Sequence, residues 1–210
     1  YTAFSVQVAI TDMCLYTDGV YPQFSGYDLV TDFFLRFYGG ISYDIVQQQD
    51  IQKGDFDHSR QTTTWDRPEF VKGIRYISKD KDSFLNFMRF YASRKGSYKP
   101  FWYPYAEIYI RPLSVSGSSF TVSDPKGELA SIDRENLAIF NGGSWSALKI
   151  ISKTTVLGVT TFLMDSPVGD FDFAHFLTLH RLEADRLSVS TLGGGIMELN
   201  TSFCEMVKQP

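Results

Sequence analysis

The chain has 210 residues, 43% of them hydrophobic and 16% aromatic, and its 20 Lys and Arg stand against 24 Asp and Glu for a formal net charge of -4. That is enough apolar material for one or two packed domains, and the lack of any long Lys/Arg block argues against a general affinity for polyphosphate. No apolar run approaches the roughly 18 residues that suggest a membrane span, and the N-terminus lacks a basic stretch followed by an apolar signal core, so the chain reads as soluble.

The first fifty or so residues are the hardest to assign: FFLRFYGG suits a helix end or a buried strand equally. Cys14 and Cys204 lie far apart and neither belongs to a CxxC pair, so both are expected as buried thiols, which leans towards the cytosol. Residues 61–65 and 70–77 are rich in β-formers and are parted by the turn Asp66, Arg67, Pro68. They lead into the strongest helix signal of the chain. Ser78 is the expected cap, early acids suit the positive end of the helix dipole, and Arg94, Lys95 and Gly96 suit its close. Phe84, Leu85, Met88, Tyr91 and Ala92 repeat at helical spacing and predict one apolar stripe, widened by Phe87.

Beyond Gly96, Pro100 and Pro104 force an extended path through Phe101, Trp102 and Tyr103, and a strand is expected over residues 105–110. From Leu113 to about Phe171 the texture changes to short strands and small turns, among them VSGSSFTV, the NGGS turn at Asn141 to Ser144, ALKIIS and TTFLMD. This predicts a small antiparallel barrel or sandwich set into a larger unit. The last segment returns to long alternating strands. Leu187 and Val189 share a face, Phe203 belongs to a second alternation, and Gly193, Gly194 and Gly195 form the joint between them.

Chemistry is sparse. There is no GxSxG elbow, no phosphate-binding GxxxxGK[ST] loop and no HExxH. The nearest metal-like group is Asp170, Asp172 and His175, but on a strand His175 falls on the face opposite the two acids, and a turn with solvated carboxylates is the simpler reading. His58 and His180 have no nucleophile at an informative spacing. Glu183 and Asp185 suit an exposed turn. Trp102, Tyr103 and Trp145 are the candidate stacking residues for a sugar or base, with core packing the alternative that the neighbouring helix stripe favours. No catalytic residue, metal or cofactor is assigned.

The stretch SFLNFMRFYASRKGSYKPFWYPYAEIYI resembles the helix-to-strand element of the distal tail proteins of long-tailed phages and related gene-transfer agents. RLEADRLSVSTLGGGIMELNTSFCEM is similar to the ending of the same family, where an Arg-containing strand precedes a final alternating strand. The likeness covers about residues 60–112 and 174–207. It implies a virion structural protein that forms a ring, commonly hexameric, joins the tail tube to the tip hub and leaves a channel for DNA. The partners it implies are other copies of the chain, a tail tube protein and a tip hub protein, with DNA passing unbound and no membrane. An acidic chain is compatible with a lumen that does not hold DNA phosphates.

The expected fold is therefore mainly β with one prominent helix over about 79–94, an antiparallel sandwich or barrel built from residues 1–112 and 173–210 with a small β-domain inserted at 113–172. The expected core includes Phe84, Leu85, Met88, Tyr91, Phe101, Leu187, Val189 and Phe203. Tyr105, Ile110, Arg181, Arg186 and Gly193 to Gly195 are the candidate interface, since open strand edges and small residues let a neighbour's backbone approach. The rival readings are a carbohydrate- or receptor-binding module, a threefold tail hub, and a hydrolase with its site in the β insert or at Asp170 to His175.

Overall fold

The structure, a computed structural model, describes residues 21–31, 70–78, 80–105, 108–183, 187–192 and 196–206 with their side chains, and the backbone of residues 5–7, 42–46, 49–53, 59–63, 69 and 193. The fold is mainly β, an α+β arrangement with two helices among the described residues. In chain order the elements are β1 (Ser5–Gln7), β2 (Gln23–Phe24), β3 (Tyr27–Leu29), β4 (Ser42–Val46), β5 (Gln49–Lys53), β6 (Ser59–Thr63), β7 (Glu69–Ser78), α1 (Lys81–Ser93) and β8 (Phe101–Pro104). There follow β9 (Ser114–Ser116), β10 (Ser119–Ser123), α2 (Glu128–Ser131), β11 (Asn136–Asn141), β12 (Ser144–Val156), β13 (Val159–Met164), β14 (Phe173–Leu182), β15 (Ser188–Gly193) and β16 (Ile196–Glu205). Two compact units result: residues 1–20, 35–101 and 179–210 form one, and residues 21–34 with 102–178 form the other. Residues 113–172 fall inside the second.

In the first unit β16 lies between β7 and β15, antiparallel to both, with Phe203 opposite Lys72 and Leu199 opposite Tyr76 on one side and Val189 on the other. The end of β14 also pairs with β16, placing His180 opposite Glu205 and Leu182 opposite Phe203. Directly opposed residues share a face, so Tyr76, Leu199, Phe203 and His180 line one side of this sheet. Helix α1 covers that side: Phe87 stacks on Tyr76 at 4.9 Å, and Phe90 meets Phe203 edge to face at 6.1 Å.

The helix starts at Asp80, whose carboxylate accepts the Ser83 backbone N–H at 2.7 Å. Ser78, the cap expected from sequence, instead donates its hydroxyl to the Asp80 carbonyl at 2.6 Å. Both residues can cap; the one nearer the first helical turn reaches its open N–H groups. Past Arg94 the backbone of Lys95 and Gly96 turns left-handed, with φ of 51° and 67°, which ends the helix.

The stripe is rotated relative to expectation. Phe87, Met88, Phe90 and Tyr91 are buried, whereas Phe84 and Leu85 are half-buried. The buried set follows the i, i+3, i+4 rule centred on Phe87, and it carries Arg94 with it on the next turn. That guanidinium, 1% exposed, lies 5.6 Å from the Phe90 ring and 5.8 Å from the Phe101 ring. Phe101, Leu187, Val189 and Phe203 are buried in this unit, and so is Cys204. Cys14 and His58 lie outside the described residues.

The second unit is an antiparallel succession β9, β10, β13, β12, β11, β14. Alternation shows plainly in β10 and β13, where Phe120, Val122, Thr160, Phe162 and Met164 point inward and their neighbours do not. The inner side holds a cluster that includes Phe120, Leu137, Ile139, Phe162, Ala174 and Phe176, with Phe120 and Phe162 stacked at 5.0 Å. Asp124 fastens the end of β10: its carboxylate accepts the backbone N–H groups of Glu128 and Leu129, at the start of α2, and the Thr160 hydroxyl at 2.7 Å.

The strand expected over residues 105–110 is displaced. The strand is β8, at Phe101–Pro104, and Ile110 makes only a single bridge to Ala174. Past Pro104 the Tyr105 backbone N–H donates to the Phe176 carbonyl, and residues 106–107 lie outside the described residues.

Candidate functional site

The second unit gathers its accessible rings on the outer side of β14, β11 and β12. The turn at Gly142 and Gly143, with φ of 53° and 93°, closes β11 onto β12 and makes Phe140 and Trp145 cross-strand partners. On the other flank Phe140 pairs with Phe173, and Ala138 with His175. Side chains two apart on each strand therefore fall on one surface.

The rings lock one another. Phe140 stacks on Phe173 at 4.8 Å, Trp145 meets Phe140 edge to face at 5.0 Å, and Tyr109 stacks on Phe173 at 4.9 Å. Tyr109 is half exposed and the Arg111 guanidinium lies 5.4 Å from its ring centroid. Edge-to-face and offset contacts of this kind fix ring orientation without filling every ring face.

His175 sits beneath this group, 5.5 Å from both the Tyr109 and the Phe173 rings, with Nδ1 2.7 Å from the Ile108 carbonyl oxygen. Burial holds its pKa below the ordinary histidine value, outweighing the backbone hydrogen bonds that pull the other way. The imidazole is thus neutral at neutral pH. Asp172 accepts the Gly142 backbone N–H at 3.1 Å, and the Asp170 carbonyl accepts the Asn141 side chain at 2.7 Å, so this acidic segment braces the Gly142 turn. Among the described residues no group of three His, Cys, Asp or Glu gathers closely enough to hold a metal ion.

Other residues singled out from sequence lie elsewhere. Trp102 and Tyr103 are buried, so neither offers a face for stacking: the Trp102 indole donates to the Phe24 carbonyl at 2.8 Å, and burial pushes the Tyr103 phenol well above its ordinary range. Ile110 is 1% exposed within the second unit's core, which removes it from the candidate interface. Tyr105 is half-buried under the Arg134 guanidinium at 5.7 Å, and its backbone N–H donates to the Phe176 carbonyl. Arg181 is exposed on β14 opposite Cys204, and Gly193 ends β15 at an irregular step in its pairing with β16. Arg186, Gly194 and Gly195 lie outside the described residues.

Of the three proposed stacking residues only Trp145 belongs to the accessible ring group. Tyr109, Phe140, Phe173 and Arg111 were missed. A signal for one of them was present: a two-residue turn at Gly142 and Gly143 makes Phe140 the partner of Trp145 by counting outward from it. Comparison with protein-family models and with curated proteins gives no match.

Proposed function

We propose that this chain is a virion structural protein that forms a ring at the distal end of a long phage tail, joins the tail tube to the tip hub and leaves a channel for DNA. The observation that supports the reading is the meeting of the two segments that carry the family likeness. Phe90 and Phe101 come from the first and Phe203 from the second, and all three pack together, with Phe90 and Phe101 at 5.2 Å and Phe101 and Phe203 at 5.1 Å. Likeness in two distant stretches carries more weight when both build one core. The net charge of -4 suits a lumen through which phosphate passes unheld.

The test is native mass spectrometry and negative-stain microscopy of the purified chain, alone and with a phage tail tube protein. A closed ring, hexameric by the family likeness, is expected. A chain that remains monomeric at every concentration, even with that partner, sinks the adaptor reading.

A second reading, a carbohydrate- or receptor-binding tail module, is favoured by the ring group of Tyr109, Phe140, Trp145 and Phe173. Glycan-array binding that Trp145→Ala abolishes is the result that would put it first.

A further inference from the structure

The outer side of β9, β10, β13 and the part of β12 that follows Ile151 carries no charge. Ser114, Thr121, Thr161 and Thr154 stand directly opposite one another in a row across all four strands. The row to one side is Ser116, Ser119, Leu163 and Ser152, and the row to the other is Ser123, Val159 and Val156. No Lys, Arg, Asp or Glu occurs in these rows, in a chain of which 21% of residues are charged. Solvent-facing surfaces ordinarily carry interspersed charges that oppose association.

The most exposed apolar members lie at the end that carries the β12–β13 turn: Val156 is 63% exposed and Leu157, in the turn itself, 99%, while Leu163, 40% exposed, lies in the row at the opposite end. Leu157 has a φ of 51°, left-handed backbone that a bulky side chain occupies only under strain. The other left-handed non-glycine positions among the described residues are Ser25 and Lys95, both polar, and Leu157 is the one apolar side chain so placed. A strained leucine that buries nothing within its own chain is not explained by folding.

We propose that this face, with Leu157 as its projecting contact, docks against a second copy of the chain. The occupant follows from charge. Copies with a net charge of -4 repel, and an uncharged face is where two of them meet without setting like charge against like. A strongly charged partner would call for an opposing charge that the three rows do not supply. The proposal rests on the tail-adaptor reading only in taking the chain to assemble with itself.

Sedimentation velocity of the full chain over about 1 to 100 µM, with Leu157→Asn and Thr161→Lys as variants, tests it. Asparagine suits left-handed backbone, so Leu157→Asn is expected to unfold at the same or higher temperature while its self-association weakens by about tenfold or more. Thr161→Lys sets a positive charge in the middle row and is expected to weaken association similarly without loss of thermal stability. Variants that associate as the parent does overturn the proposal. If the parent closes a ring that neither substitution disturbs, this face is refuted and the ring reading stands. A parent that forms only a dimer, broken by both substitutions, supports the face and refutes the ring; a parent monomeric throughout refutes both.

Discussion

The rings of Phe101 and Phe203 meet edge to face, 5.1 Å between centroids and 82° between planes, although nearly half the chain separates them. Phe90 contacts both, and His180 lies 6.3 Å from each. The first unit is therefore organised around one aromatic knot joining α1, β8, β14 and β16. Removing a ring from such a knot leaves a cavity. Phe203→Ala and Phe90→Ala are each expected to cost about 3–5 kcal/mol in urea unfolding, and Phe84→Ala, half-buried, about 1 kcal/mol. Equal losses at all three would put Phe84 on the buried face.

The helix stripe shows how far the sequence can be read. Spacing located α1 and its end at Gly96, because helical periodicity and a glycine stop are local signals. It did not fix the rotation of the helix, because Phe84, Phe87 and Phe90 are chemically alike and only the sheet opposite selects among them. Trp102 and Tyr103 show a similar limit: an aromatic pair between two prolines reads the same whether it faces a ligand or a core. The Tyr109 and Phe173 contact joins stretches with no shared local pattern.

Asp124 is expected to be worth about 2–3 kcal/mol, since Asp124→Ala leaves the start of α2 and the Thr160 hydroxyl without their acceptor. Burial raises its pKa, but the hydrogen bonds from Thr160, Leu129, Glu128 and Ala130 prevail and hold it below the ordinary value. The sign follows: this contribution is complete above the unfolded value near pH 4 and is lost as pH falls through the lower folded one. Acid titration of thermal stability should show a steeper loss below about pH 4 in the parent than in Asp124→Asn.

His175 acts in a different window. Its folded pKa lies below the unfolded value of about 6.5, so between the two only the unfolded chain takes up the proton. Stability should therefore fall as pH drops from about 7 towards 5, and the slope should be shallower in His175→Gln. An unchanged slope would assign the effect to another group.

Glycine positions at turns should differ in sensitivity. Gly158 has a φ of 77°, and an added Cβ would come 3.3 Å from Pro125 Cα; Gly142 has a φ of 53° and nothing within 4 Å. Gly158→Ala is expected to cost about 2–3 kcal/mol and Gly142→Ala about 1 kcal/mol, measured by thermal unfolding.

The pairing of β12 with β13 slips between Ile150 and Ser152, where two steps on one strand face a single step from Met164 to Leu163 on the other. Ile150 is buried and Lys153 turns inward to give its ammonium to the Ile132 and Arg134 carbonyls, so inward positions are even-numbered before the slip and odd-numbered after it. Ile151, 61% exposed, is the extra residue. A chain lacking it would still send Ile150, Lys153 and Thr155 to the inside. Shortening by one codon at this site, and not at its neighbours, should thus preserve the inside-outside assignment of the strand while removing its local bend, which makes position 151 the natural place for length variation in β12.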